Sequence, residues 1–334
     1  MKLSAEKSVL LQLKGKFNHR RPPLIKVENK NLKMVTSTKY LGVDIDERLG
    51  VTSHVTSHVA RVSKKAKTIS HALRRVARER WGAMLKPKTL SVIYKGAVES
   101  ILTFNAAGWA GRTNAHHMRS LEGAQRSAML TLTKGYRTTP TSALQVISGV
   151  LPIDILLKER ICKYDIRKGK TTTHGQVTLI SNSMTKNPAY DLIREESLDL
   201  WQSKWNDNPT GRLTYEFLPD VRAIFKKKTA VSGPIVQILT GHGKTREYLK
   251  RFNFKDSNLC DCGAGVQDIN HILYECELME IYRQELISAT QVSAQWPMAK
   301  SRLMDDDIFE MFKVFATRIV DELVTRISLD SGPS

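Results

Sequence analysis

Three of the chain's four cysteines fall within seventeen residues, Cys260 to Cys276, in the run CDCGAGVQDINHILYEC, with His271 among them. No other stretch constrains the fold as much. The order is Cys, one residue, Cys, eight residues, His, four residues, Cys. Three thiolates and an imidazole suit a tetrahedral Zn²⁺ ion, with Cys260, Cys262, His271 and Cys276 as its ligands. Gly263 and Gly265 let the chain turn tightly after the closely spaced pair. Four protein ligands leave no open position, so the ion is structural, contributing on the order of 10 kcal/mol to ordering a loop too short for its own core. His271 and Cys276 are five apart and are expected on neighbouring turns at a helix start, closing on the pair from one side. The competing account is three buried thiols and a core histidine, and the one-residue first spacing is tighter than the usual two.

The chain of 334 residues is long enough for two or three domains, and its 41% hydrophobic content is that of a folded protein. Fifty-two Lys and Arg against 33 Asp and Glu give +19, which favours a polyanion such as RNA or DNA as partner. Aromatics make up 7%, so contacts to backbone are expected more than base stacking. No apolar run is long enough to span a bilayer, and the N-terminus has no signal-peptide core. The expected setting is nuclear or cytoplasmic, without a membrane. Cys162, which has no evident partner, agrees with a reducing compartment.

The first fifty residues read as β-rich. Apolar runs at Ser8 to Leu13, Leu24 to Val27 and Leu32 to Val35 surround a hairpin turn at Glu28-Asn29-Lys30-Asn31, and a further strand covers Tyr40 to Ile45. From Val51 the period changes. Val51, Val55, Val59, Val62, Ala66, Ile69, Leu73 and Val76 recur at threes and fours and mark one long amphipathic helix. Its other face is basic, with Arg61, Lys64, Lys65, Lys67, Arg74, Arg75, Arg78 and Arg80 opposed only by Glu79. Two accounts fit such a face, a phosphate-binding surface and a merely solvated one. Pro87 opens a second helix through Leu90, Ile93, Tyr94, Ala97 and Ile101, and Asn114 caps a third through Leu132. Residues 152–168, 188–206 and 214–228 continue the helical pattern around a Thr-rich linker, 169–187. A final helix carries Ile308, Phe312, Phe315, Ile319 and Leu323, a stripe that reads as core or as a surface for a protein partner. Asp305 to Asp307 read as its cap, negative charge being favoured at a helix start. There is no internal repeat. The fold class expected is mainly α with a small N-terminal antiparallel β-sheet, an α+β chain.

Several stretches resemble one family. KLSAEKS at the start, KYLGVDID at 39–46 and the basic helix are similar to the end of the reverse transcriptase domain of non-LTR retrotransposons. AAGWAGR at 106–112, LEGAQRSAMLTLTKGYRTTPTSALQVISGVLPI at 121–153 and LTGHGKTREYLKRF at 239–252 resemble the C-terminal region of the R1 clade, which closes on a Cys-Cys-His-Cys cluster of this spacing. The resemblance spans nearly the whole chain, in the family's order. It implies that Lys7 matches the lysine after the catalytic strand, and that Tyr40, Leu41, Gly42 and Val43 match a primer-grip hairpin. The basic helix then belongs to a thumb that contacts RNA and DNA through Arg61, Lys64, Lys65, Lys67, Arg74, Arg75 and Arg78.

The organisation implied is palm end at 1–50, helical thumb-like bundle at 51–168, linker at 169–187, helical region at 188–255, zinc knuckle at 256–290 and C-terminal helix at 291–334. Polymerisation in the family needs a carboxylate triad holding two Mg²⁺ ions. The adjacent aspartate pair is expected before Lys2, so no catalytic residue is assigned, and these residues alone are expected not to polymerise. The partners implied are a primer and template, the element's RNA and ribosomal DNA as target. A stand-alone zinc-dependent nucleic-acid-binding protein derived from a retroelement, or a decayed insertion, are the alternative readings.

Overall fold

The change of period at position 51 separates two kinds of structure. The computed structural model describes residues 4–13, 23–40, 43–47, 51–78, 87–180, 185–226, 231–289 and 296–330. Before Val51 the chain forms strands two to four residues long. β1 (Val9–Leu11) pairs with β4 (Lys33–Val35), β2 (Lys26–Val27) with β3 (Lys30–Asn31), and β5 (Ser37–Tyr40) with β6 (Val43–Asp46). Glu28 and Asn29 both adopt positive φ, 50° and 62°, the twist that a two-residue hairpin connection requires. The expected hairpin is therefore present, shorter than its apolar flanks suggest. The strand expected over Tyr40 to Ile45 is instead the end of one hairpin arm and the start of the next, closed by the pair Tyr40 and Val43. These are separate two-stranded pairs, antiparallel except for the parallel β1–β4. None of their described residues is buried, and β6 packs on the first helix, as a sheet this small requires.

Helix α1 (Val51–Arg78) buries Val55, Val59, Val62 and Ala66, with Ile69 and Leu73 partly covered, against α3 (Ala115–Thr133). Val76 is 56% exposed, so the apolar stripe ends before the helix does. Helix α2 (Pro87–Ile93) runs on through a π-helical turn (Tyr94–Glu99) into Ser100–Leu102. The wider turn keeps residues four apart on one line, and the buried set is Leu90, Tyr94, Val98 and Leu102 where an unbroken α-helix would present Ala97 and Ile101. Asn114 caps α3 as expected: its Oδ1 accepts the His117 N–H at 2.9 Å, and His117 Nδ1 accepts the Asn114 N–H at 3.3 Å.

Helices α4 (Thr141–Ser148), α5 (Ile153–Arg167) and α6 (Lys186–Asn206) follow. The stretch expected as a linker holds an antiparallel hairpin, β7 (Thr172–His174) and β8 (Val177–Leu179), and Leu179 joins Cys162, Ala189 and Ile193 in a small second core. The helix expected over 214–228 is divided into α7 (Arg212–Phe217) and a turn at Ala223–Lys226, because Pro219 pushes Leu218 out of the helical region, to φ −129° and ψ 68°. Then come α8 (Gly233–Thr240), α9 (Arg246–Arg251), α10 (Glu280–Ala289) and α11 (Asp306–Asp330). Ile308, Phe312, Phe315, Ile319 and Leu323 of α11 are all buried in the same continuous core as α1, so the stripe is core and not a free surface for a partner. The Asp305 carbonyl accepts the Ile308 and Phe309 N–H groups, and Arg302 pairs with Asp305 and Asp307, which makes the acidic run a helix start. The mainly α class is thus the one observed. No single helix among the described residues is long and apolar enough to cross a membrane.

Candidate metal centre and basic helix face

Two glycines and one π-helical turn build the cluster. After Cys260 the chain reverses on Gly263 (φ 80°) and Gly265 (φ 152°), conformations that side chains disfavour, and the Cys260 N–H donates to the Gly265 carbonyl at 2.7 Å. From His271 to Glu275 the chain forms a π-helical turn, and the Cys276 N–H donates to the His271 carbonyl at 2.8 Å. A bond between residues five apart sets His271 and Cys276 on successive turns, which an α-helix would place out of line. The expected approach of these two ligands from one side is realised in this way.

The donor atoms of Cys260, Cys262, His271 and Cys276 all lie within 4.8 Å of one another. The Cys260 and Cys276 sulfurs are 3.6 Å apart, and the Cys262 sulfur is 3.2 Å from His271 Nε2. A tetrahedral zinc site with bonds of about 2.3 Å to sulfur and about 2.0 Å to nitrogen has edges of about 3.5–3.8 Å. These two separations thus lie within about 0.4 Å of such edges and the others reach at most 4.8 Å, and the Cys260 and Cys276 sulfurs stand too far apart for the disulfide length of about 2.05 Å. Burial pushes the Cys276 thiol up to about 12, and the Cys260 sulfur beside it adds to the rise. Burial also raises Cys260, but hydrogen bonds from the Cys262 backbone and Gln267 outweigh it and leave that thiol lowered. The two neighbouring thiols are thus pushed in opposite directions, and a divalent cation is the group that would let all of them ionise together.

A supporting layer surrounds the donors. Gln267 Nε2 donates to the Cys260 sulfur at 3.5 Å, and the Ala264 N–H to Cys262 at 3.4 Å. His271 Nδ1 lies 3.4 Å from a Glu275 carboxylate oxygen, the partner that orients a ligating imidazole, and its backbone N–H donates to Asp268 Oδ1 at 2.8 Å. Arg283, buried, donates to the carbonyls of Leu273 and Cys276. Gln267, Asp268, Glu275 and Arg283 carry no signal in the spacing of the ligands. Only Glu275, four residues after His271, was open to inference from helical spacing.

The other candidates lie on separate elements. On α1, Lys64, Lys65, Lys67 and Arg75 are exposed and have no acidic partner among the described residues. Arg61 and Arg74 are half-buried, and Arg61 Nη2 lies 3.1 Å from His58 Nδ1. The side chain of Arg78 is outside the described residues, as are Leu41 and Gly42. Lys7 is exposed in the turn Ala5–Lys7, and Tyr40, at the end of β5, is 62% exposed. The structure brings the four cysteine and histidine donors together and leaves Lys64, Lys65, Lys67 and Arg75 of α1 exposed.

No protein-family model matches the chain, and no solved structure does. Among known proteins, it is 31% identical over 283 residues to a Pol polyprotein from the type-1 retrotransposable element R1 of Nasonia vitripennis, covering 84% of this chain and 70% of that protein. It is 30% identical over 290 residues to the R1 Pol polyprotein of Bradysia coprophila, covering 84% of this chain and 28% of that one. A putative 115 kDa protein of the element R1DM of Drosophila melanogaster is 30% identical over 285 residues, or 83% of this chain and 27% of its own length. The chain thus spans little more than a quarter of the Bradysia and Drosophila proteins. On the Nasonia match, which covers most of both proteins, the chain belongs to the R1 family of non-LTR retrotransposon Pol proteins.

Proposed function

We propose that the chain is a nucleic-acid-binding part of an R1 reverse transcriptase, a thumb followed by a zinc knuckle. The observation that carries this reading is the face of α1, where Lys64, Lys65, Lys67 and Arg75 stand exposed and without acidic partners among the described residues, opposite a buried stripe that fixes the helix to the core. Cations so arranged can follow a phosphate backbone and release its counterions. Lys7 and Tyr40 are assigned to the primer side of the same track, and Zn²⁺ on Cys260, Cys262, His271 and Cys276 to structural support of a single-strand-binding knuckle. The substrates are a primer and template of RNA and DNA, with ribosomal DNA as target, in the nucleus or cytoplasm. Mg²⁺ belongs to the intact polymerase.

The test is a salt series on an RNA–DNA hybrid. Lys64→Ala combined with Lys67→Ala and Arg75→Ala is expected to reduce the slope of log affinity against log salt by about 0.9 for each duplex phosphate that is no longer neutralised. Cys262→Ser is expected to leave that slope in place and weaken single-strand binding, since knuckles read mainly single strands. An unchanged slope in the triple variant would leave the face merely solvated and remove its thumb role.

A further inference from the structure

A second cationic surface lies away from α1. Between α5, the start of α6 and the turn Thr103–Ala107 is a cleft of about 470 Å³. Arg160, Lys163 and Arg167, spaced on one face of α5, line it together with Tyr164, Tyr190 and Asn105, and no acidic side chain does. Its size is that of a small-molecule site, roughly 300–1,000 Å³. Arg160 pairs with Glu99 at 2.8 Å, and Lys163 with Glu159 at 2.6 Å. Glu159 is shared with Arg194 at 3.2 Å, so it does not neutralise Lys163 alone. Arg167 has no acidic partner among the described residues, and its guanidinium lies 5.3 Å from the centre of the Tyr164 ring. Lys163 Nζ lies 5.9 Å from the centre of the Tyr190 ring. In a chain with 7% aromatics, two half-buried tyrosines beside three cations give both elements that a nucleotide needs, a flat apolar surface for the base and positive charge for its phosphate.

We propose that this cleft binds single-stranded nucleic acid, a base resting on Tyr164 or Tyr190 and the adjoining phosphates on Arg160, Lys163 and Arg167. A duplex keeps its base faces stacked inside and cannot offer them to the rings, which selects a single strand. Lys168 and Lys170, exposed just beyond Arg167, continue the charge out of the cleft, which suits a polymer better than a free nucleotide. The proposal rests on the nucleic-acid-binding reading above and adds a site distinct from α1 and the metal cluster.

The test uses the full chain, an oligouridylate of about 12 nucleotides containing 4-thiouridine, and an RNA–DNA hybrid as control. Tyr164→Leu with Tyr190→Leu is expected to weaken oligouridylate binding about tenfold and leave hybrid binding unchanged. Because both rings are half-buried, Arg167→Gln at an exposed position serves as a second variant. It is expected to lower the single-strand salt slope by about 0.7, the share of one phosphate. Photocrosslinks are expected on the segment holding Tyr164 or on Tyr190. Wild-type single-strand binding by both variants, with crosslinks elsewhere, overturns the cleft, and intact hybrid binding in the same samples then leaves the broader reading standing. If the wild type binds neither substrate, the broader reading fails and the cleft with it. Uridine monophosphate competing as well as the oligonucleotide would overturn the polymer assignment in favour of a free nucleotide.

Discussion

Wild type is expected to purify with near-equimolar zinc and Cys276→Ser without it. Of the four donors, Cys276 is held most firmly: it is fully buried, its carbonyl accepts from Arg283, and its neighbour Met279 belongs to the main core. Serine at this position keeps the backbone and removes the thiolate, so the variant isolates the metal from the packing. A structural zinc contributes on the order of 10 kcal/mol of binding free energy, which would add to the Cys260–Gly265 backbone hydrogen bond and the Arg246–Asp261 ion pair in ordering the segment from Cys260 to Gln267. Limited proteolysis is therefore expected to cut that loop in Cys276→Ser, or in wild type treated with chelator, while the helices stay protected. Cys162→Ser is the control, since Cys162 packs with Leu179, Ala189 and Ile193 away from the cluster. Zinc occupancy should also fall as the pH is lowered, because protons compete for the sulfurs and for His271. A folded, protease-resistant wild type that holds no metal would sink the zinc assignment.

Trp205→Ala is expected to destabilise the fold by about 3–5 kcal/mol, the range for truncating a large buried aromatic. The ring is 1% exposed, its Nε1–H donates to the Leu218 carbonyl at 2.8 Å, and it packs against Tyr215 and close to the Gly211 backbone. The substitution opens a cavity and also leaves a buried carbonyl without its donor. Total stabilities of about 5–15 kcal/mol make that loss a large fraction of the whole. The urea midpoint measures it, and Trp205→Phe, which keeps most of the volume but not the N–H, should fall between the two. A midpoint close to wild type for Trp205→Ala would mean that α6 and α7 do not share the packing described.

What the sequence revealed follows from how local each signal is. The α1 stripe from Val55 to Leu73, the Asn114 cap and the α11 stripe are local signals, and the structure places them where the sequence pattern puts them. The shifted stripe of α2 runs strictly at fours and depends on a π-helical turn, which the alternating threes and fours of an α-helix do not anticipate. The hairpin β7–β8 hides in a Thr-rich stretch because only its alternate residues, Thr172, His174 and Leu179, are buried, and two of those are polar. Two of the stretches that carry the family likeness meet in space. Tyr248, from 239–252, joins Thr138 at 2.9 Å and the ring of Tyr136, both from 121–153, and Arg126 ties Arg137, Thr139 and Thr141 together. Much of that likeness therefore records packing, which explains why it revealed the fold and the family sooner than the cleft beside Tyr164. The metal ligands stand apart because cysteine and histidine are conspicuous by type, whereas the groups that orient them, Gln267 and Arg283, act through distant contacts.

The two halves of the metal cluster are built differently, and this bears on how an ion would come and go. His271 and Cys276 are flanked by Ile272, Leu273 and Met279 of the main core, whereas Cys260, buried in that same core, and the half-buried Cys262 sit on a loop turned by two glycines, next to the exposed Leu259. Departure of an ion would begin at Cys262, the least buried of the four donors, with the imidazole and thiolate of His271 and Cys276 retaining it longest. Recapture would start from those same two donors, so exchange has a low-coordinate waypoint and does not require the helices to open. Metal exchange at such a site would in that sense be decoupled from the opening of the core.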